Sequence, residues 1–565
     1  MHTGAALKRA LTGPRAAITA VLLATAAAML AASPIDYDFV NPDSPRHALN
    51  GAFVLDALRA FPWHDPLGYA ASYYLRYPAV SIGFYPPLFY VFEAAIYAVT
   101  GVSHFAAQLT VALFALLLAG AAYRVARLVL PRWTALGAAL MFMGAPEIAL
   151  WTRQVMLDIP AHAMLMVSVL FFARHLLCGR QRELWFAALA LLAAFYIKFN
   201  TGFIVLPMAA ALAAARGWRA LFGRQIIAIA GAATVLALPG AWLMYRFSTV
   251  NLDNVGGRVG GLPVDSVARW TYYLEQLPGQ LGWLAAILAV PGAFLLWQQA
   301  KTARGIGLAV LLAAWTAFGY LLFSALRVHE ARHDLMILFP VVLAAASTVH
   351  SLLRDRFPAF AGPAVLVLGA GTVLWSLATP VPRIEGYAAI ADKVAAVAPA
   401  NAVVLSSVFR DGNLVFAMRA RENRPDISIL RANKWLLRFA VARDWGVTEV
   451  GYDRAGLTEA LQAHGVAVAV SQRGFWADLK TMALLQDILQ DPALYRRAAA
   501  LPVSGDLWAD DRPASAGSCV QDAGAACRQN VVDIVLPLAP LPAKRLPLEF
   551  DLPFLNQRLR EQAAP

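Results

Sequence analysis

The feature that most constrains this sequence is a series of apolar runs, most of them about 20 residues long, which is the length that an α-helix needs to cross a bilayer. Soluble domains usually contain about 45–50% apolar and about 25% charged residues. This 565-residue chain is 59% hydrophobic and 15% charged, with a mean hydropathy of +0.57. It is therefore predicted to be an integral membrane protein. The predicted spans lie at about residues 16–33, 104–126, 133–151, 159–177, 184–197, 202–215, 225–244, 280–298, 305–326, 335–353 and 359–378.

Basic residues collect in every second connection between these spans. Because loops rich in Lys and Arg stay on the cytoplasmic side, the net charge of +12 is interpreted as an orientation signal and not as a nucleic-acid-binding surface. The basic clusters are Lys8, Arg9 and Arg15; Arg124, Arg127 and Arg132; Arg174, Arg180 and Arg182; Arg216, Arg219 and Arg224; Lys301 and Arg304; and Arg354 and Arg356. The opposite, outer connections contain Asp36, Asp38, Asp43, Asp56, Asp65, Asp158, Asp253, Asp265, Glu275, Glu330 and Asp334.

The apolar stretch 84–102, FYPPLFYVFEAAIYAVTGV, is not counted as a span. If it crossed the membrane, every later basic cluster would face outward, against the charge rule. Its two prolines and Glu93 favour a helix that lies at the interface or dips and returns. The first outer loop, 34–103, is therefore predicted to contain juxtamembrane helices. The first apolar run is interpreted as a retained span in preference to a cleaved signal peptide, because it is long and many spans follow.

The composition changes beyond about residue 380. The β-rich runs AVVLSSV, ISILRA, VTEVGY, VAVAVSQ and NVVDIVLPL alternate with helical stretches such as TMALLQDILQD, which predicts a soluble α/β domain. Residues 1–379 would form the membrane domain and 380–565 this second domain. About 11 spans place the N-terminus in the cytoplasm and the second domain outside a bacterial inner membrane, in the periplasm or extracellular space. A disulfide between Cys519 and Cys527 fits that compartment, and leaves Cys178 unpaired.

Acids and cations converge on the predicted outer face. Taken singly, each has an ordinary explanation: Asp158 is placed to begin a helix, Lys198 and Arg332 can reach phospholipid headgroups, and Asp36 and Asp38 are most simply solvated loop carboxylates. Together, beside a long loop rich in Tyr, Trp and Pro, they suit a reaction with a phosphate leaving group. Cations or a metal ion stabilise charge on a departing phosphate, and a carboxylate accepts the proton of the attacking hydroxyl or amine.

At these residues the sequence resembles the GT-C membrane glycosyltransferases, in the branch that contains the protein O-mannosyltransferases and the lipid A aminoarabinose transferases. The resemblance covers roughly residues 30–345, in the family's order and spacing. It implies a GT-C-like polytopic helical fold with an outer α/β domain. It also implies transfer of a sugar from a polyprenyl-phosphate donor to a lipid, glycan or protein acceptor. Five segments carry it: PDSPRHALNG, YPPLFY, RQVMLDIP, IKFNTGFIVLP and ARHDLMILFP.

The resemblance implies two catalytic acids. Asp43 falls at the position of the family's acidic active-site residue, as a general base or as a carboxylate that orients the acceptor. Asp158 is a second acid, near the donor phosphate or its metal. Metal dependence varies among such enzymes, so a divalent cation held by Asp43 and Asp158 is left open.

The sequence also departs from the family pattern at two positions. The second acid of the first-loop pattern is Ser44, and the Lys or His before the proline pair is Tyr85, which removes a candidate cation. Arg76 or Arg153 are candidates to replace that cation. The substrate-binding candidates are His47, Arg76, Tyr85, Arg153, Lys198, Arg332 and His333.

Three other functions fit parts of the pattern. A transporter or flippase for a lipid-linked saccharide would carry ionisable residues near the middle of its spans, whereas here they lie at span ends on one face. A membrane assembly protein of the same fold without activity would show departures such as Ser44 and Tyr85. An oligosaccharide ligase that uses a diphosphate donor remains open within the enzyme class. The sequence identifies neither the sugar nor the acceptor.

Overall fold

The computed structural model of the protein describes residues 13–81, 83–247, 261–421, 423–439, 447–505 and 530–539. The predicted features at Lys8, Arg9, Asp253, Cys519 and Cys527 lie outside these residues. The chain forms two compact units. Unit 1 contains the chain up to Ser33, Tyr85–Phe89 and Gln108–Val381, and unit 2 contains Pro34–Phe84, Tyr90–Ala107 and the chain from Pro382.

The helices of the described residues, in chain order, are as follows. They are α1 Pro14–Ala31, α2 Ser44–Ala60, α3 Pro66–Arg76, α4 Leu88–Thr100, α5 His104–Ala126, α6 Arg132–Met143, α7 Pro146–Thr152, α8 Asp158–Cys178, α9 Gln181–Phe195, α10 Val205–Arg216, α11 Arg224–Phe247, α12 Val267–Leu281, α13 Trp283–Gln299, α14 Ala303–Ala325, α15 Leu338–Arg354, α16 Pro358–Ala378, α17 Tyr387–Val397, α18 Asp411–Ala420, α19 Ala432–Leu436, α20 Arg454–Ala463 and α21 Lys480–Gln490. The strands are β1 Ile384–Glu385, β2 Val403–Ser407, β3 Ser428–Arg431, β4 Leu437–Phe439, β5 Val447–Glu449, β6 Val466–Gln472, β7 Tyr495–Gly505 and β8 Asn530–Pro537.

The predicted class, a polytopic helical membrane protein with a second α/β domain, is confirmed. Among the described residues, eight helices are long and apolar enough to cross a membrane, or ten if each of two bent pairs is one span. The remaining predicted span, 184–197, corresponds to α9. That helix has 15 residues, and at about 1.5 Å per residue it is shorter than the hydrocarbon core of about 30 Å.

Two helix pairs that could each form one span are sharply bent, and the span predicted at 280–298 covers only the second helix of one of them. The span predicted at 133–151 is the α6/α7 pair, bent by 69°. Gly144 ends α6 and Pro146 begins α7, where a proline without an N–H is tolerated. The α12/α13 pair is bent by 112° at Gly282, whose φ of 84° is readily adopted by glycine. The stretch 84–102 contains α4, which has 13 residues and is too short to cross alone.

Glycines allow helices of unit 1 to approach one another closely. A Cβ atom on Gly137 would lie 2.5 Å from the backbone of Val365, and one on Gly292 would lie 1.8 Å from the carbonyl oxygen of Ala344. At these points α6 packs against α16 and α13 packs against α15. Small residues at such crossings bring backbones into van der Waals contact, which drives helix association in lipid.

The first outer loop belongs to unit 2, where it is bonded to the α/β part of the chain. Asn413 of α18 exchanges two hydrogen bonds with Phe39: the Phe39 N–H donates to Asn413 Oδ1 at 3.0 Å, and Asn413 Nδ2 donates to the Phe39 carbonyl at 2.8 Å. Asp38 accepts the N–H of Tyr387 at 2.9 Å, and burial raises the pKa of its carboxyl to about 6. The expectation that Asp38 is a solvated loop carboxylate is therefore wrong.

The α/β part is built on a six-stranded sheet of order β1-β7-β8-β6-β2-β3. Strands β6, β2 and β3 are parallel, whereas β8, β7 and β1 are joined in antiparallel fashion. Every residue of β2 and β6 is buried, as expected for parallel strands covered on both faces. A separate antiparallel pair is formed by β4 and β5.

The five predicted β-rich runs correspond to β2, β3, β5, β6 and β8. The long strand β7 was not predicted from its sequence, YRRAAALPVSG, because alanine, arginine and proline dominate it and β-branched residues are nearly absent. It pairs with β8 along most of its length. Partner strands, more than local preference, therefore determine β7.

Candidate active-site residues

Asp158 and Lys198 form a buried ion pair in unit 1. Asp158 is the first residue of α8, where a carboxylate interacts favourably with the partial positive charge of the helix N-terminus. Lys198 follows α9 and precedes a 3₁₀ turn, Phe199–Ile204. Its Nζ lies 2.5 Å from Asp158 Oδ1, and the side chains of Lys198 and Asp158 are 22% and 3% exposed. The carboxylate is thus enclosed, while the ammonium remains partly accessible.

Arg332 adds a second cation to this region of unit 1. It lies between α14 and α15, and its Nε donates to Glu330 Oε2 at 2.5 Å. Its guanidinium lies over the ring of Trp151, 5.3 Å from the centroid, a favourable cation–π arrangement. The positive charges of Lys198 and Arg332 both act on Asp158. We call Asp158, Lys198 and Arg332 the cationic cluster.

His333 is the neutral neighbour of this cluster. Burial lowers the pKa of its imidazole to about 4, so the ring is uncharged at neutral pH. A neutral imidazole donates a hydrogen bond with one nitrogen and accepts one with the other. Its Nδ1 has no hydrogen-bond partner among the residues that the structure describes. His333 therefore contributes hydrogen bonding and not a third positive charge.

Asp334 is a buried acid to which the sequence analysis assigned no role. Burial raises the pKa of its carboxyl to about 8, so that it is mostly protonated at neutral pH. Gln280 Nε2 donates to its Oδ1 at 2.6 Å. The sequence signal is its place directly after Arg332 and His333. Asp334 is a hydrogen-bonding group and not a second anion.

Arg153 and Tyr85 are also placed in unit 1. The Arg153 guanidinium is buried and donates to the backbone carbonyls of Ala149 and Thr379, both at 3.1 Å. Tyr85 is half-buried. Three residues later, the N–H of Leu88 donates to the carbonyl of Tyr196 at 3.0 Å, so the YPPL segment is fixed to the turn that presents Lys198.

Asp43 lies in unit 2, directly before α2. Its backbone N–H donates to Asn41 Oδ1 at 2.9 Å, and its side chain does not cap the helix. Instead, Asp43 Oδ1 lies 3.2 Å from the Arg46 guanidinium, and the Asp43 side chain is 21% exposed. Arg46 has no motif to mark it in the sequence, but its spacing of three residues from Asp43 is typical of a local ion pair at a helix start.

Helix α4 fixes the beginning of α2 within unit 2. His47 is buried, and its Nδ1 lies 2.9 Å from the hydroxyl of Tyr90. Tyr97 Oη lies 3.3 Å from the Ala48 carbonyl and 3.2 Å from Glu93 Oε1. The side chains of Tyr90, Glu93 and Tyr97 share one face of α4, as residues spaced three or four apart do.

Glu93 is the acid that lies fully enclosed between α2 and α4. It is 0% exposed, and burial raises the pKa of its carboxyl well above the ordinary value. A Cβ atom on Gly51 would lie 2.1 Å from Glu93 Oε2, so glycine is required for the carboxyl to lie against α2. The Tyr97 hydroxyl lies within donating distance of both Glu93 Oε1 and the Ala48 carbonyl. In the sequence, Glu93 is marked only as an acid within an apolar stretch.

The structure thus brings some predicted residues together within each unit. Unit 1 collects Asp158, Lys198, Arg332 and His333, whereas unit 2 places Asp43 four residues before His47. Arg76 is the exposed last residue of α3 in unit 2.

The residues around Asp158 do not fit a divalent cation. Such ions are held by several carboxylate or carbonyl oxygens. Lys198 already contacts Asp158 Oδ1, and the charge of Arg332 acts on the same carboxylate, which opposes a further cation. Among the described residues, no group of three or more His, Cys, Asp or Glu side chains is arranged to hold a metal ion.

Comparisons with known proteins identify the fold. Residues 85–245 match the family described as dolichyl-phosphate-mannose-protein mannosyltransferase. The structure is similar to that of ArnT from Cupriavidus metallidurans bound to undecaprenyl phosphate, with a TM-score of 0.60 and 15% identity, covering 91% of this chain and 97% of ArnT. The apo state of the same ArnT gives a TM-score of 0.60 and 15% identity, covering 93% of this chain and 98% of ArnT. Among curated proteins, none matches the sequence significantly. The chain is therefore a multi-span membrane protein with the GT-C fold, and its residues 85–245 are similar to the dolichyl-phosphate-mannose-protein mannosyltransferases.

Proposed function

We propose that this chain is a glycosyltransferase that moves a sugar from a polyprenyl-phosphate donor to an acceptor at the outer face of the bacterial cytoplasmic membrane. The observation that carries the proposal is the cationic cluster of unit 1, in which two cations act on one enclosed carboxylate beside apolar helices. Support also comes from the family match of residues 85–245. The alternating basic clusters support a cytoplasmic N-terminus and a C-terminal α/β domain outside.

In this proposal Lys198 and Arg332 bind the donor phosphate. The pairing with Asp158 orients Lys198, and contacts with Glu330 and Trp151 orient Arg332. As the bond between the anomeric carbon and the phosphate oxygen breaks, negative charge grows on the polyprenyl phosphate. Cations that are already in place stabilise that charge without a cost of reorganisation. The hydrocarbon tail of the donor remains in the membrane.

Asp43 is proposed as the general base. The acceptor hydroxyl or amine forms a bond to the anomeric carbon, its proton goes to the Asp43 carboxylate, and the electron pair of the broken bond remains on the departing phosphate. The Arg46 guanidinium, 3.2 Å from Asp43, orients this carboxylate. Partial exposure leaves the carboxylate accessible to an acceptor.

The experiment compares three variants of the purified chain in lipid nanodiscs, after glycan and lipid profiling of cells with and without the protein has identified the missing sugar. Asp43→Asn is expected to lower the transfer rate by about 100-fold or more, since it removes a general base. Lys198→Met is expected to lower it by about 100-fold, since it removes a charge that stabilises the leaving group. The control is Lys301→Met, which removes an exposed lysine outside the cluster and is expected to keep the wild-type rate.

Each variant must elute as wild type in size-exclusion chromatography before its rate is interpreted. Full transfer activity in Asp43→Asn would remove Asp43 from the mechanism. Wild-type activity in Lys198→Met would remove the cluster as the donor-phosphate site. Translocation of a lipid-linked saccharide across liposomes by the wild type, without cleavage of the sugar–phosphate bond, would replace the transferase proposal with a flippase.

A further inference from the structure

Unit 2 has a second polar site, at the carboxyl ends of β2 and β6. From β2 the chain passes through α18 to β3 on one side, whereas the chain after β6 continues through α21 to β7 and β8 on the other side. Two neighbouring parallel strands with connections in opposite directions form a topological switch point. In open α/β sheets, ligands bind in the crevice outside the carboxyl ends of the strands at this point.

Buried polar groups at this point have unused hydrogen-bonding capacity. Gln472, at the end of β6, accepts the N–H of Phe409 at 3.1 Å through its Oε1, but its Nε2 has no partner among the described residues. The Oγ atoms of Ser406 and Ser407, at the end of β2, have none either within the described part of the chain. All three side chains are at most 1% exposed. These three residues make the carboxyl end of the sheet polar, but they do not line the pocket described next.

A small pocket lies directly beyond the end of β2. Its lining includes Arg410, Asp411 and Arg431 of the α/β part and, from the first loop, Asn41 and Arg46. Its volume is about 30 Å³. A cavity needs about 10–15 Å³ to hold a single water molecule. This pocket therefore accommodates one small polar group and not a sugar ring.

The pocket is positively charged. Its lining carries the three arginines Arg46, Arg410 and Arg431 against one carboxylate, Asp411. Asp411 binds Arg431 in a bidentate ion pair, with distances of 2.5 and 3.1 Å, and Asp43 pairs with Arg46. Counting Asp43 as well, the described residues at this pocket include three arginines and two carboxylates. Helix α18, which begins at Asp411, adds the partial positive charge of its amino end.

We propose that this pocket binds a phosphate or carboxylate group of the acceptor, so that the acceptor substrate is an anionic molecule. The inference rests on the proposed function, because the pocket lining includes Asn41 and Arg46, which flank Asp43 in the chain. An oxyanion held there by charge-assisted hydrogen bonds places the rest of the acceptor beside the proposed base. The donor phosphate, by contrast, is assigned to the cationic cluster of unit 1.

The test measures binding of inorganic phosphate to the full chain in maltoside micelles, which contain no phosphate of their own, by isothermal titration calorimetry. Arg410→Gln is expected to weaken phosphate binding at one site by about tenfold or more, because a charge-assisted hydrogen bond is lost. The matched control is Arg473→Gln, which removes an arginine at the end of β6 that is 58% exposed and pairs with Asp533. The control is expected to bind phosphate as wild type does.

Lys198→Met separates this inference from the proposed function. That variant is expected to lose the phosphate site of unit 1 and to keep the site that depends on Arg410. If Arg410→Gln and Arg473→Gln bind phosphate equally well, the pocket proposal is overturned, while an effect of Lys198→Met would leave the donor proposal standing.

Hydrogen exchange of the wild-type chain provides a measurement that needs no variant. Inorganic phosphate, acetate or nanodiscs that contain phosphatidate are added separately, and exchange is followed at residues 409–413. Slower exchange with phosphate or acetate supports a soluble acceptor group, and slower exchange only with phosphatidate supports a lipid-borne phosphate. Unchanged exchange with all three overturns the proposal.

Discussion

The two candidate acids, Asp158 of unit 1 and Asp43 of unit 2, are held in opposite ways. Asp158 is 3% exposed and is paired with Lys198, 40 residues further along the chain. Asp43 is 21% exposed and is paired with Arg46, three residues away on the same helix start. The first pair joins α8 to the end of α9 and is fixed by burial. The pair of Asp43 and Arg46 is local and only partly exposed.

This difference separates two kinds of role. An enclosed pair can keep a cation in a constant position for a ligand, but its carboxylate is poorly placed to exchange protons with a substrate. A partly exposed carboxylate beside one arginine can contact an acceptor directly. The comparison therefore supports the division proposed above, in which Asp158 positions a cation and Asp43 acts on the acceptor.

Removing one partner from each pair gives the largest expected difference. Lys198→Met leaves the Asp158 carboxylate buried without its cation, and is expected to lower the free energy of unfolding by about 3 kcal/mol. Arg46→Met breaks a partly exposed pair and is expected to lower it by about 0.5 kcal/mol. The measurement is reversible denaturation of both variants in mixed micelles.

The double variant Asp158→Asn with Lys198→Met is the control for the buried pair, since it removes both charges. It is expected to recover most of the stability that Lys198→Met alone loses. If Lys198→Met and Arg46→Met cost the same, the contrast between a fixed and a local pair is wrong.

A second, smaller effect is expected where the α/β part of unit 2 contacts the segment that carries Asp43. A Cβ atom on Gly412 would lie 2.8 Å from Cγ of Pro45. Gly412→Ala is therefore expected to destabilise unit 2 by about 2 kcal/mol, because overpacking forces the neighbouring backbone to move. The control is Gly371→Ala in α16, where a Cβ would meet nothing within 4 Å. Equal thermal stability of the two variants would show that Asp43 does not depend on this contact.

The sequence was sufficient to predict the membrane class, the approximate spans and five strands of the second domain, since hydropathy and β-branched runs are local signals. The sequence also indicated the segments that contain YPPL, Lys198 and Arg332 as candidate parts of a site. It did not indicate that the first outer loop packs with the α/β part. That packing depends on single polar contacts distant in sequence, such as Asn413 with Phe39, which leave no periodic pattern.

The buried acids show the same limit of local patterns. Asp38, Glu93 and Asp334 have raised pKa values because of burial, and the burial of an acid, whether in a loop or on a helix, is set by the tertiary structure. The local sequence does not distinguish an acid that remains exposed to solvent from an acid that a neighbouring helix encloses. The role of Glu93 in fixing α2 therefore became evident only from its contact with Gly51.

The most gradual expected effect concerns how firmly α2, and with it Asp43, is held at different pH values. Because the pKa of Glu93 is raised in the folded protein, the native state keeps this proton above the ordinary glutamate pKa, where the unfolded chain releases it. Glu93 therefore lowers stability progressively as the pH rises above about 4.5, by up to about 1.4 kcal/mol per pH unit until the folded pKa is reached. Glu93→Gln, which resembles the neutral acid, is expected to flatten this slope in thermal melts between pH 5 and pH 7.

The control is Glu459→Gln, which changes an exposed glutamate on α20 and is expected to leave the dependence of stability on pH unchanged. If stability falls with pH as steeply in Glu93→Gln as in the wild type, Glu93 is ionised in the folded chain. In that case a charged carboxylate would hold α2, as the Asp158 carboxylate holds Lys198.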